Sequence, residues 1–140
     1  MKLTGWGRYP VVESRGRGFE TDAELAAALD RPGSLIAYGM GRSYGDSALA
    51  GRFVSCRRYD KFLSFDADSG RLHCESGVTL AEILDAFLPR GWFLSVTPGT
   101  RFITVGGAVA SDVHGKNHHK TGCFSSCVES FTLMLADASA

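Results

Sequence analysis

The sequence predicts an α+β fold, and three observations carry that prediction. Helical and strand-like segments are mixed without a strict β-α-β rhythm, which argues against a plain doubly wound sheet. Two capping boxes, Thr21 with Glu24 and Thr79 with Glu82, mark helix starts. Glycine is frequent, 17 of 140 residues, and many of these glycines gather in three short clusters where the backbone has special work to do.

Taken in order, Leu3–Val12 reads as irregular or edge-like chain. The first box starts a helix over Asp22–Leu29, which Pro32-Gly33 stops. Leu35–Tyr38 is a short apolar run between turn signals, a buried strand that feeds directly into the glycine-rich Gly39–Gly45. Phe53–Ser55 and Phe62–Phe65 are strand-like, Asp66–Gly70 is a turn, and Arg71–Ser76 is the returning strand. The second box opens a helix over Leu80–Leu88 that ends at Pro89-Arg90-Gly91. Trp92–Val96 is extended, and a short helix begins near Thr104 and runs to about Asp112. A last strand is expected over Ser130–Leu135, with a turn at Asp137. The chain stops just after that strand, a poor place for a domain to end.

Composition narrows the function. Hydrophobic residues at 44% and charged residues at 21% are those of an ordinary globular domain. Lysine plus arginine equals aspartate plus glutamate, 15 each, so the basic excess of a general nucleic-acid binder is missing. No apolar run approaches the roughly 20 residues of a membrane span, and no apolar core follows Lys2 to make a signal peptide. A cytoplasmic protein is the default expectation. Cys56, Cys74, Cys123 and Cys127 lack the paired C-x-x-C spacing of a zinc site and read as free thiols.

Three stretches carry the chemistry. In Gly39-Met40-Gly41-Arg42-Ser43-Tyr44-Gly45-Asp46 a strand runs into a loop with three glycines, a hydroxyl and an arginine. Glycines let successive N–H groups turn inward around an anion, and Arg42 and Ser43 add a charge and a donor, which suits a pyrophosphate. The loop matches neither G-x-G-x-x-G nor the Walker pattern; its structural alternative is a tight turn with a solvated arginine. In Pro98–Gly107 the pair Gly106-Gly107 at a helix start would expose N–H groups to a phosphate or flavin. Its alternative is a turn that lets a helix pack closely on a strand. In Asp112–Lys120, three histidines, one aspartate and two lysines make a pocket wall, a solvated loop or a metal site. The spacing is not H-E-x-x-H, and Gly115 interrupts any helix joining His114 to His118.

In this order the three stretches resemble the FAD-binding domain of the vanillyl-alcohol oxidase family, the PCMH-type fold. The resemblance rests on LTGWGR at 3–8, GMGRSYGD at 39–46 and PGTRFITVGGAVASDVHGKNHH at 98–119, and it runs over essentially the whole chain. It implies an α+β fold of two subdomains clasping an extended FAD, with residues 1–140 forming the N-terminal part of that domain and the substrate domain lying beyond. Gly39, Met40, Gly41, Arg42, Ser43, Tyr44, Gly45, Asp46 and Ser47 would wrap the pyrophosphate. Gly99 and Thr104, Val105, Gly106 and Gly107 would lie along the cofactor, with His114 near the isoalloxazine ring. Lys116 and Asn117 would face the flavin and substrate side, so His114 and Lys116 are the candidates for groups at the reacting atoms.

The resemblance further implies oxidation of an alcohol carbon by hydride transfer to the flavin. In its nearest subgroup the substrate is a ribose hydroxyl on a polyprenyl-phosphate sugar, with a partner reductase completing an epimerisation. Such a protein could meet the membrane through its substrate. That subgroup carries a cysteine where this chain has Ser111, a small change. Many members tether FAD through a histidine in the pyrophosphate loop, where Arg42 stands here, and some add a cysteine where Phe102 stands, so FAD is expected without a covalent bond. Two other readings remain at this point: a metal-dependent hydrolase using Asp112, His114 and His118, and a non-catalytic flavin-binding module.

Overall fold

The computed structural model describes residues 1–140, and these form two compact units, residues 1–59 with 132–140 and residues 60–131. No helix is long and apolar enough to cross a membrane.

The first unit opens with an antiparallel pair, β1 (Lys2–Thr4) and β2 (Val11–Glu13), with Leu3 opposite Val12. This gives the expected irregular segment an ordered edge at both ends. A parallel sheet follows in the order β3 (Arg15–Gly18), β5 (Arg52–Ser55), β4 (Ile36–Tyr38). The central β5 is the buried strand, through Phe53 and Val54, whereas β4 is only half-buried because it lies at the sheet's edge. That corrects the expectation of a buried strand at Leu35–Tyr38. β3, with the sequence RGRG, has no strand signal of its own. It exists because a side chain at Gly16 would run into the Phe53 ring and carbonyl, so only glycine lets β3 and β5 pair in register.

Helix α1 (Asp22–Leu29) is capped by Thr21, whose hydroxyl accepts from the Glu24 N–H at 3.2 Å. Its box is not reciprocal: the Glu24 carboxylate accepts from the Glu20 N–H at 2.8 Å, one residue before the expected partner. Ala28 packs with Phe19 and Val54 to form this unit's small core.

The second unit carries the larger core. Strands β6 (Phe62–Asp66) and β7 (Arg71–Cys74) form an antiparallel hairpin across the expected turn, with the Asp66 carboxylate accepting from the Asp68 N–H and the Ser69 hydroxyl. Those two bonds hold the Asp66 carboxyl below its usual pKa. Helix α2 (Leu80–Phe87) begins at a complete capping box between Thr79 and Glu82, worth about 1 kcal/mol. It buries Leu80, Ile83 and Phe87 at helical spacing. The Phe87 ring meets Phe65 at 4.3 Å and Phe62 at 5.4 Å between centroids. Val78, Val96, Ala108 and Phe124 complete the core.

Trp92–Val96 runs as irregular chain, pinned by the Trp92 N–H donating to the Phe87 carbonyl at 3.1 Å. Helix α3 (Val105–Ala110) is shorter than expected, capped at Thr104 and finished at Ser111. Helix α4 (His118–Thr121) was not anticipated. The strand expected over Ser130–Leu135 does not form: residues 130–134 make no backbone hydrogen bond to any other segment. Alternating apolar residues make a segment fit for a strand, but only a neighbouring strand makes it one. The turn at Asp137 is present, its carboxylate accepting from the Ser139 N–H at 3.0 Å.

Candidate cofactor site

The first glycine cluster leaves the end of β4 as an open loop. From Met40 through Ser47 no backbone N–H donates to another group of the protein. Gly41 and Gly45 sit at φ +64° and +57°, left-handed conformations that glycine adopts without strain and that turn consecutive N–H groups toward one side. The Gly45 Cα faces open space. Arg42, Tyr44, Gly45, Asp46 and Ser47 are exposed, while Gly39, Met40, Gly41 and Ser43 are half-buried. Arg42 forms no ion pair, and the Ser47 hydroxyl donates to the Tyr44 carbonyl at 2.9 Å. A run of unpaired donors with a free guanidinium is suited to a polyanion.

The loop rests on two other segments. The Trp6 N–H donates to the Ser43 carbonyl at 2.9 Å. Tyr38 stands directly behind Gly41, where any side chain would strike its hydroxyl, and that hydroxyl points to the Thr4 carbonyl at 3.5 Å. The LTGWGR segment was conspicuous in the sequence, but nothing there assigned Gly5, Trp6 or Tyr38 to the loop. Their contacts are long-range, and no local spacing encodes them.

The second cluster behaves differently. The Val105 N–H donates to Val78 O at 2.7 Å, the Gly106 N–H to Ser76 O at 2.8 Å, and the Gly107 N–H to the Thr104 hydroxyl at 3.1 Å. All three leading donors of α3 are spent inside the protein, so the expectation that the glycine pair offers them to a phosphate is corrected. Gly106 serves close packing: an added Cβ would lie 3.0 Å from Ser76 Cβ. Gly99 is exposed and open, so its backbone remains approachable.

In the third cluster Gly115 is buried, and a side chain there would lie 2.7 Å from the Thr97 carbonyl oxygen. His114, Lys116, His118, His119 and Lys120 are all exposed around it. The His114 and His118 rings lie 4.9 Å apart, each with Nδ1 near the Gly115 carbonyl, at 3.4 and 3.1 Å. Asp112 is committed elsewhere, its carboxylate accepting from the Ser125 N–H at 2.8 Å. Asp112, His114 and His118 therefore do not converge as a three-ligand metal group.

Residues 20–140 match the family described as FAD binding domain. The chain belongs to that family, with the PCMH-type fold and FAD as its cofactor. Among named proteins it is similar to decaprenylphosphoryl-beta-D-ribose oxidase of Mycolicibacterium smegmatis, 38% identical over 97% of this chain and 31% of the oxidase. It is also similar to D-lactate dehydrogenase of Anaerostipes hadrus, 31% identical over 61% of this chain and 18% of that protein. The chain thus spans about a third or less of the length of these relatives. A solved structure, alkyldihydroxyacetonephosphate synthase, shares the fold with a TM-score of 0.63 at 20% identity, covering 77% of this chain and 22% of that one.

Proposed function

We propose that the protein carrying this chain oxidises an alcohol carbon on a lipid-linked sugar, and that this chain holds the FAD. The single observation behind the cofactor role is the unpaired N–H run from Met40 to Ser47. The substrate class is supported by the 38% identity to an oxidase of a polyprenylphosphoryl ribose across nearly all of this chain. Bound FAD supplies the hydride-accepting centre.

The residues divide the remaining work. Gly39–Ser47 grips the pyrophosphate, with Arg42 neutralising charge and Ser43 adding a donor. Gly99 and the outer side of Val105–Gly107 lie along the cofactor as a surface rather than as N–H donors, whereas Thr104, buried with its hydroxyl accepting from the Gly107 N–H, caps the helix instead of reaching the cofactor. His114 faces the ring, and Lys116 and Asn117 orient the substrate. FAD is held without a covalent bond, because a guanidinium at Arg42 has no lone pair to attack the flavin methyl and Phe102 has no nucleophile. Residues 1–140 alone do not turn over substrate. A separate reductase consumes the product, and the protein works in the cytoplasm, meeting the membrane through its lipid substrate.

The test is anaerobic mixing of the holoprotein with a polyprenylphosphoryl ribose, which is expected to bleach the flavin absorbance. Bleaching by D-lactate instead would move the assignment to 2-hydroxy acids. Acid precipitation should leave the flavin in the supernatant, and a flavin-labelled peptide in the pellet would refute non-covalent binding. His114→Ala and Lys116→Ala should each slow bleaching while most of the flavin stays bound.

A further inference from the structure

We propose that Gly5 is a positioning residue for the cofactor loop: its missing side chain sets where the loop's carbonyls, and so its N–H groups, can lie. The proposal rests on the reading of Gly39–Ser47 as the FAD cradle. Residues 1–19 lie outside the span that matches the family, so the match itself assigns this segment no part in the site.

Gly5 is buried beneath the loop. A Cβ added to it would stand 2.6 Å from the Ser43 carbonyl oxygen and 2.7 Å from that of Gly45, closer than a carbon can approach a backbone oxygen without displacing it. Next to it the Trp6 N–H donates to the same Ser43 carbonyl at 2.9 Å, so a hydrogen bond and a steric limit act on one carbonyl. The turn is closed by the Arg8 N–H donating to the Gly5 carbonyl at 3.1 Å. A peptide unit is rigid, so a carbonyl held at Ser43 fixes the N–H of Tyr44, and one held at Gly45 fixes the N–H of Asp46. Both of those donors belong to the unpaired run. Gly5 is not in the left-handed region, so alanine meets no conformational objection there, and its effect acts through the loop. Gly7 lies two residues on, also outside the left-handed region, with nothing within 4 Å of its Cβ position, and serves as the matched control.

The experiment compares wild type, Gly5→Ala and Gly7→Ala, each freed of flavin. It measures the dissociation constants of FAD and of ADP, which carries the pyrophosphate without the ring, and the melting temperature of each apoprotein. Gly5→Ala is expected to melt close to wild type yet bind both ligands about tenfold or more weakly, with Gly7→Ala unchanged. Gly5→Ala binding as wild type would overturn the proposal, as would an affinity that falls only in step with a lost apoprotein fold, or an equal loss in Gly7→Ala. Wild type binding neither FAD nor ADP would instead strike the reading of the cradle itself.

Discussion

The two glycine clusters that looked alike in sequence do opposite things with their backbones. In Met40–Ser47 the N–H groups are unpaired and two glycines sit in the left-handed region. In Val105–Gly107 every N–H is bonded internally, and neither Gly106 nor Gly107 adopts a positive φ. One loop leaves its N–H groups unpaired between two left-handed glycines, and in the other Gly106 brings a helix close against Ser76. Glycine count marks where the backbone is special, and the hydrogen-bond partners tell which use it serves.

The largest expected effect that would break this contrast is at Gly41. A valine there is forced into the left-handed region and against the Tyr38 hydroxyl, so Gly41→Val should abolish FAD retention in the holoprotein. Flavin absorbance of the purified variant equal to wild type would remove the loop from the site. Gly106→Val attacks the other cluster. It should push α3 off Ser76 and cost about 2–4 kcal/mol of stability, read as a lower urea midpoint with or without cofactor. A normal midpoint with lost flavin would show that this cluster, too, serves the ligand directly.

Arg42→Ala sharpens the comparison rather than breaking it. Removing one charge-assisted contact should weaken FAD binding by about 1–3 kcal/mol in titration calorimetry and leave the melting temperature of the apoprotein alone. An unchanged affinity would leave the backbone as the loop's only grip.

The smallest effect belongs to the second unit's packing. Burial, with the Glu75 charge adding to it, pushes the Cys74 thiol up to about 11 from an ordinary 9.0. The thiol therefore ionises first in the unfolded chain, and between those two values the folded state binds more protons. Its contribution to stability is complete below the lower value and falls as pH rises toward the upper. Cys74→Ala should flatten the decline in urea midpoint across that window. An identical decline in both proteins would place the titration elsewhere.

Much of this was legible from local sequence. The capping residues Thr21 and Thr79 both cap, the β6–β7 turn closes where Asp66–Gly70 predicts, and Gly39–Ser47 forms an open loop at a strand end. The failures share one cause. β3 is built from Arg and Gly and is a strand only because β5 lies beside it, while Ser130–Leu135 has a strand's sequence and no partner. The donors of α3 looked available because Ser76 and Val78, which accept two of them, lie more than 25 residues away in the chain.

What the sequence determined by itself was the set of positions where the backbone does special work, together with the helix caps. Both follow from the conformational freedom of one residue or from contacts within a turn. The tertiary structure alone decided which strands pair, which glycine cluster keeps its N–H groups free, and that Gly5 lies under the loop. Each of those depends on a carbonyl or a ring brought from a distant segment, and a hydrogen bond or a steric limit acts only between groups that the fold has already placed a few ångströms apart.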